Sequence, residues 1–208
     1  MAKLQVAIDL LSTQDALELA AKVAPYVDII ELGTPLIKQE GLAVVTAMKA
    51  AHPDKLVFAD MKTADTGALE AEMAFKAGAD LVTVMGTVDD ATVKGAVEAA
   101  KKYGKKVVVD TIGVKDRVKR AREVTAFGVD FVELHAGLDE QALPGYSIQK
   151  LIDEGKEAGV PFSIAGGVNA NSIKDVLAAG AVVAVAGSAI YAAQDPAKAA
   201  EILKAAFN

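Results

Sequence analysis

The sequence predicts an α/β protein, a compact (β/α)8 TIM barrel formed as a single domain over residues 1–208. Three observations predict it. Eight short apolar runs recur along the chain, and an Ala-rich segment of helical length fills each gap between them. Spread over eight units, 208 residues allow 26 per unit, enough for a strand, a helix and two short loops. The runs are near-continuously apolar rather than alternating, as parallel strands covered on both faces should be. A doubly wound open sheet is the alternative that this pattern leaves standing.

The first four runs are LQVAIDL from Leu4, VDIIELG from Val27, KLVFADMK from Lys55 and DLVTVMG from Asp80. KKVVVDTIG from Lys105, DFVELHAG from Asp130, PFSIAGGV from Pro161 and VVAVAGSAI from Val182 complete the set. Their apolar stems, such as Val6, Ile29, Val57 and Val108, read as core. Helix punctuation agrees with the runs. Ser12 with Asp15 suits a capping box, and Asp195-Pro196 places an N-cap before a proline at the first helical position. Gly78, Gly104, Gly128, Gly159 and Gly180 each stand between a helical segment and the next run, where a left-handed residue closes a helix.

Composition narrows the function. With 52% hydrophobic residues, 24% charged and a net charge of −6, the chain has a full core and no basic footprint for nucleic acid or a membrane surface. An anionic substrate must therefore be held by local chemistry. Cysteine is absent, which removes disulfides and thiolate metal sites and suits the cytoplasm. The start, MAKLQVAIDLL, lacks a signal-peptide layout, and no apolar span of membrane length follows.

In a barrel of this kind the active site lies where strands end. The ends supply Asp9, Glu31, Asp60 with Lys62, Asp110, His135, Gly166-Gly167 and Gly187-Ser188. Glu31 and Asp60, on neighbouring strands, could form the oxygen half of a Mg²⁺ site; equally, both could pair with Lys62. Asp60 and Lys62 are two positions apart, so on a strand their side chains share a face, and a lysine among carboxylates stays protonated. Asp65 falls in the loop or first turn beyond, where an acid at a helix N-terminus explains it as well. His135 is placed as a proton shuttle, whereas His52, in AAHPDK, precedes a strand and stands at the wrong end. A site built from several histidines and a G-x-S-x-G nucleophile are both unsupported. The glycines of IAGGV and VAGSAI follow the seventh and eighth runs, the usual phosphate position of the fold, and point to a phosphate-bearing substrate.

These residues resemble a known family. The D-x-K-x-x-D element of Asp60, Lys62 and Asp65, with Asp9, Glu31 and the paired-glycine loops, is similar to the orotidine monophosphate decarboxylase superfamily. LQVAIDLL, VDIIELGTPLI, FADMKTAD, ADLVTVMG, FVELHAGLDEQ and VAGSAIY resemble its 3-hexulose-6-phosphate synthase branch over essentially the whole chain. The resemblance implies a homodimeric aldehyde-lyase using Mg²⁺, with Mn²⁺ as the other ion. Such an enzyme joins formaldehyde to D-ribulose 5-phosphate through a metal-stabilised enediolate, giving the entry compound of the ribulose monophosphate pathway. It further implies that Glu31 and Asp60 bind the metal, Lys62 stabilises the enediolate and Asp65 reaches the neighbouring subunit's site. Gly166, Gly167, Gly187 and Ser188 would hold the phosphate. His135 is assigned as the base at C1, Asp9 as the group that orients substrate hydroxyls, and Asp110 as the residue that positions a water or Lys62.

Two alternatives accompany this reading. The 3-keto-L-gulonate 6-phosphate decarboxylases resemble the chain but carry glutamate at the place of Asp110 and arginine at those of Leu138 and Ser188. A catalytically silent sugar-phosphate-binding barrel is the other.

Overall fold

Strand β1 (Lys3–Ile8) pairs in parallel with β2 (Ile29–Leu32) on one side and with β8 (Val183–Ala186) on the other, which closes the sheet into a barrel and excludes the open-sheet alternative. Between them run β3 (Leu56–Thr63), β4 (Leu81–Met85), β5 (Lys106–Asp110), β6 (Phe131–His135) and β7 (Phe162–Ala165), each hydrogen-bonded to its sequence neighbour. This computed structural model describes residues 2–207. All eight apolar runs are strands.

Alternation along each strand separates two cores. Inward-facing Ile29, Phe58, Leu81, Val108, Phe131 and Val183 pack together inside the barrel. Outward-facing neighbours such as Val6, Ile30, Val57, Val82, Val107 and Val132 are buried beneath the helices. With both faces covered, every strand must be apolar throughout, which is why the runs read as they do.

Helices α1 (Thr13–Val23), α4 (Gly67–Ala77), α5 (Asp90–Tyr103), α6 (Arg117–Thr125) and α9 (Ile173–Ala178) each occupy one gap. The remaining connections depart from one helix per gap. Gly41, at φ 66°, separates α2 (Thr34–Glu40) from α3 (Ala43–Ala51). A segment containing Pro144 and Gly145 divides α7 (Leu138–Gln141) from α8 (Ile148–Ala158), and α10 (Ser188–Tyr191) precedes α11 (Pro196–Ala205). Both N-caps form, with Ser12 Oγ accepting from the Asp15 N–H at 3.1 Å and the Asp195 side chain accepting from the Lys198 N–H at 3.0 Å, but among the described residues no bond from the Ser12 N–H to Asp15 completes the capping box. Gly78, Gly104, Gly128, Gly159 and Gly180 all have positive φ.

The lower rim carries a repeated device. Asp28, Asp80 and Asp130 immediately precede β2, β4 and β6, and each carboxylate accepts the N–H of a residue on the preceding strand: Leu4, Val57 and Val107. Lysines close each carboxylate from outside, Lys204 on Asp28, Lys49 and Lys105 on Asp80, and Lys106 on Asp130. This fixes the bottom of the barrel and leaves the upper rim free for chemistry.

Candidate active site

The upper rim surrounds a cavity of about 1380 Å³. Asp9, Glu31, Asp60, Lys62, His135, Gly166, Gly167, Gly187 and Ser188 all line it, so the strand ends expected to converge do so. Asp110 is fully buried behind Lys62 and His135. Asp65 is exposed outside the cavity of its own chain, where its carboxylate accepts the Thr66 N–H at 2.7 Å. His52 caps the C-terminus of α3, before β3 and away from the cavity.

The junction of Asp60 and Lys62 is not a plain strand. Between Ala59 and Thr63, β3 advances four residues while its partner β4 advances only from Val82 to Val84. Lys62 consequently sits at φ 43°, in the left-handed region, where a residue with a Cβ costs about 1–3 kcal/mol. Its N–H donates to Thr83 Oγ1 at 2.8 Å in place of a ladder bond. Strand alternation alone therefore does not explain the shared direction of the two side chains; a bulge does.

Lys62 Nζ donates to Asp60 Oδ2 at 2.8 Å and to Asp110 Oδ2 at 2.8 Å. Burial alone would lower the lysine pKa, but these two carboxylates overcome it and hold the ammonium protonated far above neutral pH. Asp60 is further fixed by the Thr34 and Thr83 hydroxyls, at 2.7 and 2.8 Å. Burial would raise the Asp110 carboxyl; His135 and Lys62 reverse this and hold it well below the usual range. The same Asp110 Oδ2 lies 2.9 Å from His135 Nδ1. For His135, burial acts downward and Asp110 acts upward, and the net shift is upward.

Glu133 also lines the cavity, although the sequence patterns did not single it out. It stands two positions before His135 on β6, so the strand period puts both side chains inside the barrel. It is 2% exposed, and its Oε1 lies 3.8 Å from His135 Nδ1. Burial first, and Asp110 second, push its carboxyl up to about 7. Glu31 is raised well above its ordinary range by burial, then by Asp60 and Glu133, although Gln5 Nε2 donates to it at 2.7 Å. Asp9 is raised by burial and by Asp60. Asp9 closes the acidic wall against Gly33: a Cβ on that glycine would lie 2.0 Å from Asp9 Oδ1.

This excess of buried carboxylates fits a divalent cation. Glu31 and Asp60 supply hard oxygens of the kind Mg²⁺ takes, and the buried Gln5 Oε1 beside them has no hydrogen-bond donor. Asp110, Glu133 and His135 also offer ligand atoms within 4.8 Å of one another, so an Asp/Glu/His group could bind a metal ion. There Nδ1 is already committed to Asp110, and imidazole suits softer metals than Mg²⁺. Across the cavity, Gly166 and Gly167 have φ 120° and 81°. Among the described residues, the N–H groups of Gly166, Gly167, Gly187 and Ser188 have no acceptor, an arrangement suited to an anion.

Comparison with known proteins agrees with this geometry. Residues 2–203 match the model of the family described as Orotidine 5'-phosphate decarboxylase / HUMPS family. The chain is 66% identical to a 3-hexulose-6-phosphate synthase of Mycobacterium gastri, with 99% of each chain covered. It is 44% identical to one of Methylomonas aminofaciens, with 96% of each covered. A solved 3-hexulose-6-phosphate synthase superposes with a TM-score of 0.97 at 67% identity, covering 98% of this chain and 99% of that one. A solved 3-keto-L-gulonate-6-phosphate decarboxylase from Vibrio cholerae superposes with a TM-score of 0.87 at 29% identity, over 99% and 96% of the two chains. The chain is thus an enzyme, and it belongs to the orotidine 5'-phosphate decarboxylase / HUMPS family.

Proposed function

We propose that this enzyme joins formaldehyde to D-ribulose 5-phosphate to form D-arabino-hex-3-ulose 6-phosphate, an aldol-type reaction of the ribulose monophosphate pathway. The observation that carries the reading is the convergence on Asp110 Oδ2 of a protonated Lys62 at 2.8 Å and of His135 at 2.9 Å. A fixed cation and an oriented imidazole, side by side, suit removal of a proton next to a carbonyl. The synthase names of the relatives support the same choice.

In this reading, His135 takes the C1 proton of the ketose, with Asp110 on Nδ1 leaving Nε2 as the basic atom. Lys62 supplies positive charge to the oxygen that becomes anionic, and Asp9 orients substrate hydroxyls. The amides of Gly166, Gly167, Gly187 and Ser188 hold the phosphate. Glu31 and Asp60 would hold Mg²⁺, or Mn²⁺, which when bound supplies a Lewis acid for the substrate carbonyl. Leu138 and Ser188 leave the cavity without the two arginines of the decarboxylase pattern.

The functional unit is proposed to be a homodimer in which Asp65 completes the neighbouring site. Leu69 and Met73, one turn apart on α4 just after Asp65, are 60% and 47% exposed, an apolar pair suited to a partner copy. Among the described residues no helix is long and apolar enough to cross a membrane, and the cysteine-free chain suits the proposed cytoplasmic location.

Solvent exchange tests the proton step without formaldehyde. With D-ribulose 5-phosphate and Mg²⁺ in D₂O, the enzyme should replace one C1 proton by deuterium, and His135→Asn should abolish this. A wild-type enzyme that leaves C1 unlabelled would remove proton abstraction from the mechanism.

A further inference from the structure

His135 is gripped three times by the stretch that runs from Asp110, the last residue of β5, to Arg117, the first of α6. Asp110 binds its ring at Nδ1, and Thr111 Oγ1 accepts its N–H at 3.2 Å. The third grip comes from Arg117, the first residue of α6, whose Nη2 donates to the His135 carbonyl at 3.1 Å. The same Nη2 donates to Glu140 Oε2 at 2.6 Å, and Nη1 lies 3.5 Å from Glu154 Oε2. Glu140 belongs to α7 and lines the cavity.

Arg117 is only 6% exposed, yet its Nε has no acceptor, and Glu154 Oε2 is likewise buried without a hydrogen-bond donor. A buried guanidinium with an orphan N–H is a poor device for stability, because desolvation offsets much of what its ion pairs return. Its planar fork is a good device for geometry: one nitrogen reaches two acceptors in directions fixed by the plane, which a lysine ammonium does not reproduce.

We propose that Arg117 is a positioning residue for His135, holding the backbone of that residue while Asp110 holds its ring, and coupling it through Glu140 to the wall of the cavity. The proposal deepens the reading of His135 as the proton acceptor and rests on it. Arg117 touches neither substrate nor reacting atom; it acts by keeping the imidazole on its line of approach, where a displacement of about 1 Å costs roughly 10²-fold in rate.

Arg117→Ala and Arg117→Lys test it, with thermal unfolding to establish that each is folded. Both should lower kcat by about 10-fold to 10²-fold while KM for the sugar phosphate moves by no more than about threefold. Guanidinium at millimolar concentration should restore part of kcat to Arg117→Ala and none to His135→Asn. The chain has only two histidines, so ¹⁵N imidazole spectra report directly: the His135 resonances should broaden or change tautomer while those of His52 stay fixed. If Arg117→Ala does not fold, Arg117→Lys and Glu140→Gln carry the same readouts. Folded variants with unchanged His135 resonances and kcat within about twofold of wild type would overturn the proposal. Should His135→Asn itself turn over normally, the reading of His135 as base fails, and the imidazole spectra alone then judge whether Arg117 positions it.

Discussion

Asp110 Oδ2 accepts hydrogen bonds from both His135 Nδ1 and Lys62 Nζ, so a single buried oxygen fixes the imidazole and the ammonium relative to each other. Its second oxygen accepts the Ile112 N–H at 2.8 Å, which leaves the carboxylate no freedom to rotate. Asp110→Asn keeps the shape, removes the charge and sets an amide donor either against Lys62 and His135 or against the Ile112 N–H. Turnover should fall about 10²-fold or more with the fold intact. Near-normal kcat in that variant would show that the shared oxygen has no part in the reaction.

Lys62 and Asp65 are proposed to act in one site from two chains. Lys62→Ala should lose about 10³-fold in kcat, and Asp65→Ala should also be severely impaired. Co-expressed, the two inactive chains should recover about a quarter of wild-type activity, since half of randomly formed dimers contain one intact site out of two. No recovery in mixed dimers of demonstrated composition would place Asp65 in its own chain's site or outside catalysis.

The buried acids make a separate prediction about metal. Mn²⁺ binding, followed by its EPR signal in the absence of substrate, should weaken about 10-fold or more in Glu31→Gln and in Asp60→Asn. If both variants bind Mn²⁺ like wild type while Glu133→Gln does not, the ion belongs to the Asp110, Glu133 and His135 group instead.

At the lower rim, Asp80 links stability to acid. Burial alone would raise its carboxyl; hydrogen bonds from Lys105, the Val57 N–H and Lys49 outweigh that and lower it. A carboxyl lowered by folding contributes stability that is present above its unfolded pKa of about 3.9 and is lost as pH falls through the folded value. Asp80→Asn should therefore cost about 1 kcal/mol at pH 7, a modest amount because the lysines are partly in solvent, and the difference from wild type should shrink below about pH 4. Urea midpoints at pH 7 and pH 3.5 measure it; a gap that widens in acid would contradict the sign.

The parallel α/β layout was legible because covering both faces of each strand leaves near-continuous apolar runs with glycine at the helix ends, and eight such units in 208 residues favoured the barrel, while only the pairing of β1 with β8 excluded an open sheet. Asp9, Glu31, Asp60, Lys62 and His135 were legible as polar breaks at the upper ends of those runs. Glu133 was not. It lies within the apolar run FVELHAG rather than at its end, and only strand alternation counted back from His135 would have exposed it. Arg117 was invisible for another reason: its partners His135, Glu140 and Glu154 are 18, 23 and 37 positions away, and nothing local distinguishes a buried arginine at a helix start from a solvated one. The bulge at Lys62 was hidden because it depends on the register of β3 against β4, which neither strand encodes alone.

The most direct measurement is formaldehyde consumption by the purified protein with D-ribulose 5-phosphate and Mg²⁺, beside a sample stripped with EDTA. Formaldehyde should disappear with formation of one equivalent of hexulose phosphate, stop in the stripped sample, and resume when Mg²⁺ is restored. A folded, metal-replete protein that consumes no formaldehyde would contradict the proposed synthase, and release of CO₂ from 3-keto-L-gulonate 6-phosphate by that same sample would assign it to the decarboxylases.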